Sequence, residues 1–65
     1  MIAPHEIETR CVGKTVVEAT KLLAEIGYST RVVAKPGFFL AHELFDRTRM
    51  NVSVKDGLID KWAIG

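Results

Sequence analysis

Six side chains in this 65-residue chain carry the chemistry to act on a partner: His5, Cys11, His42, Glu43, Arg47 and Arg49. A thiol nucleophile needs a base within hydrogen-bond reach and a third group to orient that base. Cys11, His42 and Glu43 fall on unrelated stretches of the pattern, so no enzyme is expected. The two histidines lie far apart in sequence with few further ligands near them, so no metal site or cofactor is expected either. The pair Arg47 and Arg49 is different. On a strand, residues two apart project from one face, and guanidinium forks there can hold a carboxylate.

The elements that must position these residues can be read from pattern. "TVVE" at Thr15–Glu18 is a capping box, in which the Thr15 hydroxyl accepts from the Glu18 N–H and the Glu18 carboxylate reaches back to the Thr15 N–H. Ala19, Leu22, Leu23 and Ile26 then recur at helical spacing, and Gly27 stands where a left-handed residue ends a helix. A helix from about Val16 to Ile26 is expected. "YSTRVVAK" at 28–35 is rich in β-branched residues and ends at Pro36-Gly37, which reads as a strand. A second strand alternates, with Thr48, Met50, Val52 and Val54 on one face and Arg47, Arg49, Asn51 and Ser53 on the other. Asp56-Gly57 is a hairpin turn leading to a last strand, "LIDKWAI". Residues 1–10 show no period and read as an extended or frayed arm.

With 65 residues the chain is a single domain near the lower limit for a core without staples. One cysteine allows no internal disulfide, mildly favours a reducing, cytoplasm-like compartment, and reads as a small buried hydrophobe. A formal charge of +1 offers no field to draw nucleic acid or anionic lipid. No apolar run is long enough to span a bilayer, and the first ten residues lack the apolar stretch of a signal peptide. One helix must cover one small sheet. Whether the first two strands run parallel, with an exposed loop between them, or antiparallel, with Pro36-Gly37 as a hairpin, is left open by local pattern.

The ordered set "VGKTVVEATKLL", a β-branched strand, Pro36, a loop, "DRTRMNV" and a terminal Gly resembles the potato inhibitor I family of serine protease inhibitors. The correspondence runs from Val12 to Pro36 and from Asp46 to Gly65. The resemblance implies an α+β fold with the helix on a small mixed sheet, two parallel strands, and between them, at 36–46, an exposed extended loop that enters a protease as a substrate does. It implies a serine protease partner of subtilisin or chymotrypsin type, bound tightly and reversibly; the chain itself is expected to be a monomer or weak homo-oligomer. Phe39, Leu40, Ala41, His42, Glu43 and Leu44 would contact the enzyme. Glu43 resembles the acid just after the scissile bond, Arg47 and Arg49 the arginines that support the loop, and Gly65 the terminal glycine packed beside them.

Matching Glu43 to that acid sets the scissile bond at His42–Glu43. Counting back from Asp46 instead sets Ala41 before the bond, and counting forward from Pro36 sets Glu43 there. The disagreement arises because Pro36 to Asp46 spans ten positions, about two fewer than the family pattern and up to about 7 Å less reach. Ala41 also replaces the family's usual Thr. A shortened loop keeps a second function open, a protein-binding or self-associating module on the same fold. Of the apolar surface at Phe38, Phe39, Leu40 and Phe45, roughly half is expected to be buried, and Trp62 is expected to pack in the core rather than stack on a ligand.

Overall fold

A computed structural model describes residues 3–37 and 45–65. Two helices, α1 (Pro4–Cys11) and α2 (Val16–Ala24), precede a three-stranded sheet of β1 (Ser29–Val32), β2 (Arg49–Lys55) and β3 (Leu58–Ile64) in the order β1-β2-β3. This is a small α+β fold with a mixed sheet.

The expected arm is in fact α1. Its signals are local: Pro4 occupies the first helical turn, where a missing N–H costs nothing, and Glu6 meets Arg10 one turn on at 3.5 Å. Ile7 and Cys11, also one turn apart, are both buried. Cysteine here completes the apolar stripe, which is why a count of aliphatic residues alone finds no period.

α2 begins as its sequence requires. The Thr15 hydroxyl accepts from the Glu18 N–H at 3.2 Å, but the Glu18 carboxylate meets the Thr15 hydroxyl, at 3.4 Å, rather than the Thr15 N–H. The helix closes with Tyr28 N–H on the Leu23 carbonyl (3.0 Å) and Gly27 N–H on the Ala24 carbonyl (3.1 Å), with Gly27 at φ 88°. That pair of bonds needs a left-handed residue, which glycine adopts without a Cβ clash. Ile26 bonds three residues back, to Leu23, and the Leu22 carbonyl accepts instead from Arg10 of α1 at 2.7 Å. Arg10 also reaches Glu25 at 3.1 Å. One cation thus ties α1 to the negative end of α2.

β1 pairs with β2 in parallel, Ser29 opposite Arg49 and Val32 opposite Val52, which excludes a hairpin at Pro36-Gly37. β1 is shorter than the expected 28–35, although Val33 N–H still bonds the Val52 carbonyl at 2.8 Å. β2 and β3 are antiparallel around Asp56 (φ 54°) and Gly57 (φ 81°), the two positive φ values that let a two-residue turn follow the strand twist.

The ladder shifts between Ser53 and Val54, which face Lys61 and Ile59. Asp60 is therefore an extra residue, a bulge. Regular alternation would put Leu58 and Asp60 on the same face as Trp62 and Ile64; the bulge instead turns Ile59 inward, 2% exposed, and leaves Leu58 and Asp60 outside. The Ile59 backbone is held by Gly13 and Lys14, each through a 2.9 Å bond.

The core joins Ile7, Cys11, Ala19, Leu23, Met50, Val52 and Ile59, with Val16, Ile26, Tyr28, Trp62 and Ile64 packed around it. Each large side chain fully removed from water contributes on the order of 1.5–3 kcal/mol. Trp62 lies against this core, as its sequence position suggested. Both helices cover one face of the sheet, the face of Met50 and Val52.

Candidate functional site

The opposite face carries the polar residues of the two parallel strands. β2 starts at Arg49, so Arg47 is not on the strand; it lies exposed in the preceding turn and forms no hydrogen bond or ion pair with the described residues. The expected strand-borne pair of Arg47 and Arg49 is corrected to this extent. The turn is built by Asp46, whose Oδ1 accepts from the Thr48 N–H and the Thr48 hydroxyl, both at 2.8 Å. Such a side-chain turn competes with extension of the strand. Those hydrogen bonds, the N–H bond foremost, lower the Asp46 carboxyl pKa, and the charge of Arg49 lowers it further.

Arg49 is half-buried and points its fork at the end of β3. Its Nε and a terminal nitrogen donate to the main-chain oxygen of Gly65 at 3.0 and 2.7 Å, while Gly65 N–H donates to the Arg49 carbonyl at 3.0 Å. Gly65 is buried. The structure thus brings together two of the four residues expected to support the loop.

Sequence reasoning missed two neighbours. Arg31 of β1 stands opposite Asn51 of β2 in the parallel register, and its Nε donates to Asn51 Oδ1 at 2.8 Å. Asn51 is fully buried, yet its Nδ2 finds no acceptor among the described residues. An asparagine at a position that alternation assigned to a solvated face gave a hint, because β-sheets rarely favour Asn. Its burial was not visible in the pattern.

Phe39, Leu40, Ala41, His42, Glu43 and Leu44 lie outside the described residues, as do Phe38 and the expected scissile bond at His42–Glu43. Phe45, expected to share in the burial of that apolar cluster, is 64% exposed. Pro36, at the other side of the connection, is buried.

Elsewhere the chemistry is sparse. The Cys11 thiol is fully buried in the core, and desolvation raises its pKa, with Glu8 adding to the rise. No group of three or more His, Cys, Asp or Glu among the described residues could hold a metal ion, and no described helix is long and apolar enough to cross a membrane. A shallow cleft of about 370 Å³ opens between α1 and β3, lined by Glu8, Val12, Asp60, Lys61 and Trp62.

No family model, no curated protein and no solved structure matches the chain.

Proposed function

We propose that the chain is a serine protease inhibitor that presents residues 38–45 to a subtilisin- or chymotrypsin-like enzyme as a tight, reversible substrate mimic. The observation that supports this most directly is the parallel pairing of β1 and β2. Parallel neighbours oblige the chain between them to return along the sheet from the end of one strand to the start of the next. Here residues 33–48 join the end of β1 to the start of β2, and both helices cover the face of Met50 and Val52.

A connection held at both ends loses little entropy when it pairs with an enzyme's substrate-binding strand, so its affinity comes from pre-organisation. Pro36 is buried at one end, and the Asp46 turn with the Arg49–Gly65 clasp holds the other. The resemblance of "VGKTVVEATKLL" and "DRTRMNV" to potato inhibitor I sequences points the same way.

The exposed Phe45 favours a second reading, a non-inhibitory module that docks another protein or a second copy of itself through its aromatic surface. Titration against subtilisin and chymotrypsin, with mass spectrometry of the products, separates the two. Stoichiometric inhibition with slow cleavage at one bond between Leu40 and Leu44 supports the inhibitor. Rapid cutting there, or no inhibition by the intact chain, rejects it in favour of the docking module.

A further inference from the structure

β3 is an edge strand whose outer row of backbone groups is filled at one end and open at the other. Gly65 N–H bonds the Arg49 carbonyl. Alternation in an antiparallel ladder then turns the N–H and C=O of Lys61 and Ala63 toward β2, and those of Trp62 and Ile64 away from it. Before the bulge, Ile59 also points both groups outward, and there Gly13 and Lys14 meet them. No described residue does the same for Trp62 or Ile64. Backbone groups in that state take water or the strand of a partner.

The shallow cleft between α1 and β3 adjoins this open stretch, since Trp62 belongs to both. Its volume of about 370 Å³ stands at the low end of ligand pockets, roughly 300–1,000 Å³, and gives room for one long side chain. Val12, 41% exposed, and the half-buried Trp62 supply its apolar surface. Glu8 and Asp60 are exposed in its wall, and neither forms an ion pair with a described residue. Lys61 lines it too, from a position that alternates away from Trp62. The lining therefore sets two carboxylates against one ammonium. Two acids beside an indole suit a guanidinium or an alkylammonium: the acids supply charge, the ring attracts the cation, and Val12 can pack on its aliphatic stem.

We infer that this edge and cleft form a docking site for a short extended segment of another protein that carries an arginine or lysine. The backbone of the segment pairs with Trp62 and Ile64, and its basic side chain enters the cleft beside Glu8 and Asp60. This is strand addition, in which main-chain bonds give affinity and a pocket for one side chain gives selectivity. The linker bonds at Ile59 confine the added strand to the residues beyond the bulge, so the segment is short. A second copy of the chain fits less well. Two β3 strands paired antiparallel through Trp62 and Ile64 set Lys61 of each copy opposite residue 65 of the other, about 16 Å along the strand from Asp60. Glu8 and Asp60 would then be left without a cation. The inference does not depend on the inhibitor reading.

The test is a titration of the intact chain with the peptide acetyl-Val-Thr-Arg-Val-Thr-amide, and with the same peptide carrying citrulline, a neutral isostere, in place of arginine. Trp62 is the only tryptophan, so its fluorescence reports the cleft, while NMR exchange of the Trp62 and Ile64 amides reports the edge. So short a segment is expected to bind with a Kd on the order of 1 mM, and to slow both amides. Glu8→Gln and Asp60→Asn should each weaken the arginine peptide about two- to fivefold, the range of an exposed ion pair; citrulline should weaken it about fivefold or more. Both carboxylates are exposed, so neither variant threatens the fold. An unchanged Trp62 signal at about ten times the expected Kd overturns the inference. Equal binding of the two peptides does so as well, as does an affinity that neither variant lowers, or exchange at Trp62 and Ile64 that the peptide leaves unchanged. Protection of both amides that grows with protein concentration, without peptide, gives the edge to a second copy and also overturns it. The readout involves no protease, so its outcome stands apart from that of the inhibition assay.

Discussion

Arg49 and Gly65 clasp each other from two directions: the guanidinium donates twice to the Gly65 oxygen, at 3.0 and 2.7 Å, and the Gly65 N–H donates to the Arg49 carbonyl at 3.0 Å. The first residue of β2 is thereby fixed to the last residue of the chain. A planar fork is required, because an ammonium is a point charge and cannot make both bonds in one plane. Arg49→Lys is expected to lower stability by up to about 1.5–3 kcal/mol, the range for hydrogen bonds involving a charged group, and to raise the amide exchange rate of Gly65. Urea unfolding with hydrogen exchange checks both. An unchanged Gly65 amide would mean that the clasp does not hold the chain end.

Ile7 of α1 is 2% exposed and belongs to the core. Ile7→Ala is expected to cost about 2–5 kcal/mol, as for other fully buried aliphatic side chains. In a domain of this size that is a large share of the total, so the urea midpoint should fall steeply. Were residues 4–11 a loose arm, the midpoint would not move.

The pKa of Asp46 is lowered by the two Thr48 bonds. A depressed folded-state pKa means that the contribution is fully present above the unfolded value, about 3.9 for Asp, and is lost as pH falls through the lower folded value. Asp46→Asn retains an oxygen for both Thr48 donors but cannot titrate. Thermal melts from pH 7 to pH 2 should show a smaller loss of stability on acidification in the variant than in the wild type; parallel curves would remove Asp46 from the acid response.

Cys11 is fully buried, and desolvation raises its thiol pKa. Since the thiolate is the reacting form, labelling of the native protein with a disulfide reagent at pH 8 should be slow and limited by opening of the core. Urea below the unfolding midpoint should accelerate it. Immediate labelling of the native protein would contradict the packing of α1 on α2.

How far these features can be read from sequence depends on how local their causes are. The start of α2 at Thr15, its end at Gly27, the turn at Asp56-Gly57 and the inward face of Met50 and Val52 all follow from neighbours within a few residues, and all stand in the structure. α1 was missed because its stripe has only two members and one of them is a cysteine. The inward turn of Ile59 was missed because a bulge reverses alternation without any residue that demands it. Asn51 and Arg31 lie twenty residues apart and meet only through the parallel register, which no local window contains. Arg47 shows the converse error: alternation was carried two residues beyond the strand, into a turn that Asp46 had already closed.

The bonds from Gly13 and Lys14 to Ile59 bear on more than the packing of one side chain. A sheet edge left bare invites another chain to pair with it, and small domains with slow or partial unfolding are lost to fibres by that route. Here the interhelical linker occupies the outer hydrogen-bonding positions of Ile59, next to a kink that carries Asp60 and Lys61. A strand from a neighbouring molecule therefore meets a stopper and two charges where it would need an unbroken row of donors and acceptors. Protection of the strand edge at Ile59 against pairing with another chain is in this sense built into the connection between two helices.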